Sequence, residues 1–343
     1  MDTQIITNPS EQELNMLASA LRNGELVSIP TETVYGLGAN GLDPEAMDKI
    51  YAAKGRPSDN PLILHVPNSE SIKPLVTEVS KTAQLLMDTF WPGPLTITLP
   101  KSDLVPDRAT GGLPRVALRC PDHKVCRALL ERAGVPVAAP SANISGRPSP
   151  TTAQDVYHDM KGRISYILDA GPCTIGVEST VVEVHDDKVI ILRPGGITKA
   201  QLETVVSTVE YDTALVNATT KPKAPGMKYT HYAPDAPMTV VVGNPEVIAS
   251  TFKELSEGKE GPIGCLVSHE TYDLIKDDTR FMYHCFGHHG DALALGHDFY
   301  KSLLHFNENH VTLILAEGVD DDGFGVAIMN RMEKASSHHI IYK

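Results

Sequence analysis

KGRPSDNPLILH, residues 54–65, sets Lys54, Arg56 and Asn60 in a loop broken by glycine and proline, then runs into a short apolar strand that ends on His65. An ammonium offers a movable point charge and a guanidinium a planar fork of donors, a pair suited to phosphate oxygens. Two basic residues flanking a glycine fit a solvated surface loop as well. What favours an anion cradle is a second loop, Ser141-Ala142-Asn143, which follows another apolar strand, Val135 to Ala139. Its small residues let a ligand approach the backbone, and Ser141 and Asn143 project as neutral polar donors.

Upstream, Ser10 to Glu13 reads as a capping box, and Leu14, Leu17 and Leu21 recur at helical spacing until Gly24. A buried strand, Leu26 to Ile29, then breaks at Pro30 into Thr31-Glu32-Thr33-Val34-Tyr35-Gly36-Leu37-Gly38. Loops at strand ends are where α/β folds hold ligands, so Thr31 and Thr33 either hold a polar substrate or cap a turn; spacing leaves both open. Asp43 before Pro44 starts a helix that delivers the chain to Lys54-Gly55. A helix over Ser80 to Phe90, a turn at Trp91 to Pro94 with Trp91 in the core, and an alternating strand Leu95 to Leu99 follow. In Arg115 to Arg119 a period of two puts Arg115, Ala117 and Arg119 on one face. An exposed edge would explain two arginines there; beside Lys54 and Arg56, a shared pocket wall is the expectation. Further strands are read at Ile164 to Leu168, Ser179 to Val184 and Val189 to Arg193. Seven or so strands with few long helices indicate a mixed, twisted α/β sheet.

Composition limits the classes of function. The 343 residues exceed the ~100–200 of a usual domain, so two domains are expected. Residues 1–200 carry 19 Lys+Arg against 23 Asp+Glu, a balance of −4, and residues 201–343 carry 11 against 20, a balance of −9. A chain of net charge −13 lacks the broad basic face of a nucleic-acid binder, so a small anionic ligand is favoured over a polymer. The opening residues show no secretory signal, no stretch is apolar enough to span a bilayer, and a cytoplasmic location is expected. Cys120, Cys126, Cys173, Cys265 and Cys285 have no C-x-x-C spacing and read as free thiols.

Six separated motifs occur in order: PTETVYGLG (30–38), Lys54-x-Arg56, NPLILH (60–65), Ser141-x-Asn143, GVESTVV (176–182) and LRPGGI (192–197). Together they resemble the threonylcarbamoyl-AMP synthase family of YrdC and Sua5 proteins, over roughly the first 200 residues. The resemblance extends to the long Sua5 form, with a YrdC-like catalytic domain at 10–198, a linker at 207–237 that covers the active site, and a C-terminal Sua5 domain at 238–343. It implies a nucleotidyltransferase that makes threonylcarbamoyl-AMP and pyrophosphate from L-threonine, bicarbonate and ATP. The product serves the N6-threonylcarbamoyl mark on tRNA A37, so the downstream tRNA threonylcarbamoyltransferase machinery is the implied partner.

By matching motif positions, the resemblance implies ATP contacts from Arg56, Asn60, Arg115, Ser141, Ser149, Arg193 and Tyr232. It implies a threonine enclosure of Thr33, His65, Arg119, Ala139 and Ser179. Lys54, Arg56, Ser141 and Asn143 form the implied catalytic group, acting by positioning and charge rather than as nucleophiles. Mg2+ is expected with ATP, held by phosphates and water and not by protein side chains.

The segment from Lys221 to Pro234 has no period and reads as a linker, although its aromatic and basic residues exceed those of a passive spacer. From Met238 on, strand and helix alternate, which predicts a smaller Rossmann-like parallel sheet. Gly323-Phe324-Gly325 lacks the spacing of a dinucleotide fingerprint and is assigned no cofactor. His284, His288, His289, His338 and His339 lack a ligand framework and are placed in loops and strand ends. Two rival readings are a carbamoyl-adenylating enzyme of the hydrogenase-maturation type, whose accessory segments are not found here, and a non-catalytic RNA-binding module.

Overall fold

The computed structural model describes residues 2–215 and 231–343. They fall into two compact units, the first running to Ser145 and through Ser149–Thr174 and then onward from Glu178. The second takes in Gly146–Pro148, Ile175–Val177 and the chain through Lys343. The linker residues 216–230 lie outside the described residues.

The first unit is built on one sheet of eleven strands. In chain order they are β1 (Gln4–Thr7), β2 (Val27–Ile29), β3 (Gly36–Asn40), β4 (Ile63–His65), β5 (Leu95–Pro100) and β6 (Arg115–Arg119). There follow β7 (Val137–Ala138), β8 (Tyr166–Asp169), β9 (Thr180–Val184), β10 (Val189–Arg193) and β11 (Val209–Tyr211). Their spatial order is β1-β8-β2-β3-β7-β4-β6-β5-β9-β10-β11, with parallel and antiparallel neighbours mixed, as expected for a twisted mixed sheet.

Seven or so strands become eleven because β1 and β3 carry no apolar–polar alternation and β11 is only three residues long. β3 is the informative case: its glycines are there to let neighbours close in, not to loosen a loop. A Cβ on Gly38 would lie 2.9 Å from both Val137 Cγ1 and the Val27 carbonyl. β5, expected to alternate, is buried at every residue except the half-buried Pro100, because it sits inside the sheet between β6 and β9 with both faces covered.

Local signals hold at the helices. Ser10 and Glu13 form the capping box of the helix Glu11–Arg22. Asp43 caps Pro44–Lys54, which ends on a left-handed Gly55. Ser80 caps Lys81–Phe90. Trp91 is half-buried against the core and donates from Nε1 to the Leu95 carbonyl at 2.7 Å.

The second unit holds β12 (Met238–Val242), β13 (Ile263–Ser268), β14 (Phe281–Gly287), β15 (Leu313–Glu317) and β16 (Ile340–Tyr342). All pairs are parallel and the order is β14-β13-β15-β12-β16, the winding expected of a Rossmann-like unit. The late glycine pair opens a helix, Gly325–Ala335, because a Cβ on Gly325 would lie 2.0 Å from the Asp320 carbonyl. Among the described residues no helix is long and apolar enough to cross a membrane.

Candidate active site

The registers of the first sheet bring several strand ends to one edge. β4 runs parallel to β6 with His65 opposite Arg119; β5 and β9 run the other way, and β10 returns antiparallel to β9. The C-terminal ends of β4, β6 and β10 therefore meet the N-terminal ends of β5 and β9, which gathers His65, Arg119, Thr96, Ser179 and Arg193.

Arg119 is 4 % exposed, and three of its nitrogens are engaged. Nη1 donates to Thr33 Oγ1 at 2.9 Å, Nε to the Gly93 carbonyl at 3.4 Å, and Nη2 stands 2.7 Å from Glu32 Oε1. Thr33 is fixed in turn, because Thr31 Oγ1 accepts from the Thr33 and Val34 amides and lies 2.9 Å from Thr33 Oγ1. Thr31 thus caps the turn, and Thr33 faces the arginine. His65 is buried with its Nδ1 3.2 Å from the Ile63 carbonyl; burial, with the Arg119 charge adding, pushes its pKa down to about 3. It is a neutral imidazole at physiological pH. Ala139 lies alongside, its amide donating to the Ile63 carbonyl at 3.0 Å.

Ser179 Oγ lies 2.8 Å from Thr96 Oγ1 and accepts from Arg193 Nη2 at 3.2 Å. Arg193 also donates from Nε and Nη2 to the Ser179 carbonyl. Ser149, buried, donates to Glu178 Oε1 at 2.7 Å.

Lys54 corrects the picture of a movable charge. At 2 % exposure its Nζ donates to the carbonyls of Ser141 and Asn143 at 2.5 and 2.6 Å. Burial drives its pKa well below the ordinary lysine range, Arg56 pushing the same way and Asp159 against. The loop it holds is tied at other points as well. The Ala142 amide donates to the Tyr35 carbonyl, the Ser145 amide to the Lys54 carbonyl, and the Ile144 amide to Asp159 Oδ2 at 2.9 Å. Asn143 donates from Nδ2 to the Ile144 carbonyl at 2.8 Å. Lys54 fixes the second loop from behind.

Arg56 Nη2 donates to the Pro61 carbonyl at 3.1 Å, and Asn60 is buried. Pro61, Leu62, Thr98, Leu113, Arg115 and Ala117 line a largely apolar cavity of about 180 Å3. Arg115 donates to the carbonyls of Thr98 and Val184 at 2.7 and 2.8 Å. It shares a face with Arg119 but stands at the opposite end of β6, roughly 13 Å away at strand rise. The two arginines serve different parts of the site.

Tyr232 belongs to the second unit, where it is buried at φ 67° with its ring 5.3 Å from that of Tyr300. The histidines of that unit pair with carboxylates: His284 with Asp298 at 3.0 Å, His288 with Glu270 at 2.9 Å, His289 with Glu317 at 2.7 Å. His338 pairs with Glu333 at 3.0 Å, and His339 Nδ1 lies 2.7 Å from the Ser336 carbonyl. Glu32, Thr96 and Glu178 are site groups that sequence spacing did not single out. The only hint was their place at strand ends within otherwise suggestive motifs.

Residues 19–195 match the family described as "Telomere recombination", and residues 197–337 match "Threonylcarbamoyl-AMP synthase, C-terminal domain". A threonylcarbamoyl-AMP synthase of Bacillus subtilis is 45 % identical over 333 residues, 97 % of this chain and 95 % of the relative. One of Pyrococcus abyssi is 43 % identical over 338 residues, 96 % of each. The crystal structure of Pyrococcus abyssi Sua5 complexed with L-threonine superposes with a TM-score of 0.90 at 41 % identity, covering all of both chains. The order of the six motifs, the mixed sheet and these matches converge: the chain is a member of the threonylcarbamoyl-AMP synthase family.

Proposed function

We propose that this chain condenses L-threonine, bicarbonate and ATP into threonylcarbamoyl-AMP, with release of pyrophosphate and water. The observation that carries the reading is the buried guanidinium of Arg119, fixed on Thr33 beside neutral His65 and Ser179, which suits an amino acid carboxylate flanked by polar groups. The threonine-bound relative supports the same choice of substrate.

Two steps follow. The amine of threonine attacks the carbon of bicarbonate, forming an N–C bond and releasing water, which leaves a carbamate. A carbamate oxygen then attacks the α-phosphorus of ATP, and the bond to the leaving pyrophosphate breaks. Both steps join anions, so the chain contributes placement and positive charge. Arg119 takes the threonine carboxylate, with Thr33, His65, Ala139 and Ser179 around the rest. Arg56, Asn60, Ser141, Ser149 and Arg193 take the nucleotide. The apolar cavity beside Arg115 suits the base. Lys54 serves by holding the carbonyls of the Ser141-x-Asn143 loop.

Mg2+ bound with the nucleotide would be held by phosphate oxygens and water and would supply charge neutralisation for a pyrophosphate leaving group. Among the proposed nucleotide contacts, Ser149 donates to the Glu178 carboxylate at 2.7 Å. The product passes to the enzymes that modify tRNA, and the acidic balance of the chain fits a small-molecule role with no strong tRNA binding. Pyrophosphate release from ATP is to be measured with threonine and bicarbonate omitted in turn. Release should fall to background in both omissions; release that ignores threonine overturns the reading.

A further inference from the structure

We propose that Glu32 is a specificity-determining residue: a built-in counter-ion that neutralises Arg119 without occupying its donors, so that small anions gain little at the guanidinium while threonine can share it. This rests on the placement of the threonine carboxylate at Arg119.

The geometry has two parts. Glu32 is 6 % exposed, and its Oε1 lies 2.7 Å from Arg119 Nη2, a full ion pair by distance. Yet the contact is not a formed hydrogen bond, and among the described residues neither Glu32 carboxylate oxygen nor Arg119 Nη2 has a hydrogen-bond partner. The carboxylate therefore supplies charge beside Nη2 without completing a hydrogen bond to it. A buried pair with unfinished hydrogen bonds is costly to maintain unless a ligand completes it.

The surrounding groups leave Glu32 as the counter-charge. His65, on β4, is neutral. His123, whose pKa burial lowers, and the thiols of Cys120, Cys126 and Cys173, which burial pushes up, all feel Glu32 and carry no charge at neutral pH. Among the described residues Arg119 forms an ion pair with no carboxylate except Glu32. Glu32 thus balances the charge of Arg119 locally, while the second guanidinium of the strand ends, Arg193, is held on Ser179. An acetate or chloride ion entering alone would sit beside Glu32 with little else to hold it, and crowding like charges costs several kcal/mol. Threonine brings an amine and a hydroxyl to Thr33, His65 and Ser179, which offsets that repulsion.

The test is Glu32→Gln, which keeps the shape and removes the charge. Threonine binding is measured by calorimetry on the full chain at constant ionic strength, with acetate as competitor. Competition by acetate should strengthen by at least about tenfold in Glu32→Gln relative to the unsubstituted chain. A purely structural role for Glu32 would weaken threonine binding without creating acetate competition. Should Glu32→Gln fail to fold, Glu32→Asp draws the charge back by one methylene and should show a smaller shift in the same direction. Unchanged acetate competition in whichever variant folds overturns the proposal. Pyrophosphate release by the unsubstituted chain, run alongside, separates this failure from failure of the functional reading: turnover without altered competition condemns only the role of Glu32.

Discussion

The strand ends of the two sheets treat buried charge in opposite ways. In the second unit Glu317 is fully buried at the end of β15, and it is complete: Oε2 accepts from the Ser268 amide and hydroxyl at 2.9 Å each, and Oε1 meets His289 at 2.7 Å. In the first unit Glu32 and Arg119 are as deeply buried but face each other without aligned hydrogen bonds. A satisfied carboxylate stabilises the fold, whereas an incomplete pair is free to do chemistry on something else. The difference teaches where in this chain polarity is structural and where it is functional.

The sharpest way to break the comparison is at Lys54 and Arg56. Arg56→Ala should cost on the order of 2–4 kcal/mol in transition-state stabilisation, as loss of a preorganised donor does, whereas Lys54→Ala should lower turnover by releasing the Ser141-x-Asn143 loop. The two should nonetheless separate. Lys54→Ala strands the Ser141 and Asn143 carbonyls and should also lower the melting temperature and loosen hydrogen exchange in the 141–145 loop. Arg56, only half-buried, should leave stability nearly unchanged. Equal melting temperatures would place Lys54 on the phosphates after all.

Arg119→Ala ranks next. It should raise the threonine KM by about two orders of magnitude, the size of a charge-assisted contact of ~2–3 kcal/mol, while the ATP KM holds. An ATP effect of the same size would deny that β6 divides its two arginines between two ligands.

In the second unit, Glu317→Gln should destabilise by about 1–3 kcal/mol, the cost of disturbing a buried, satisfied acceptor, as read by chemical denaturation. Pyrophosphate release at 25 °C should not change. A loss of turnover in the folded variant would erase the distinction between the two sheet ends.

How far the chain could be read in advance follows from the range of each interaction. The caps of Ser10, Asp43 and Ser80 act within four residues, so those helices were legible, and the parallel second sheet followed from regular strand and helix alternation. β3 was not, because Gly36 responds to Ala139 and Ile29, and Gly38 to Val137 and Val27, neighbours that only the folded sheet supplies. The basic loop at 54–56 is legible as a loop, yet Lys54 reaches carbonyls 87 and 89 residues away, a destination no local pattern encodes. Arg115 and Arg119 share a face by period, but period says nothing of which end meets which ligand. Nothing in the sequence singles out Glu32 between its threonines, since its partner lies on β6.

His65 sharpens the comparison by the smallest amount. It is buried and neutral with a pKa of about 3, while an unfolded histidine titrates near ~6.5. Between those values the unfolded chain binds the extra proton, so stability rises with pH and is lost as pH falls below the unfolded value. At pH 5.5 this group should therefore cost about 1.4 kcal/mol relative to neutral pH. Chemical denaturation at pH 7.5 and 5.5 should show that difference in the unsubstituted chain, and His65→Asn should remove that part of it. Glu270, whose pKa the neighbouring His288 and the His289 amide hold at about 2, acts in the other unit with the same sign at lower pH, since its stabilisation is lost only as acid approaches that value. A slope above pH 5 that His65→Asn leaves wholly unchanged would mean that the imidazole at the end of β4 keeps its proton in the folded chain, a second positive charge beside Arg119 which Glu32 does not balance.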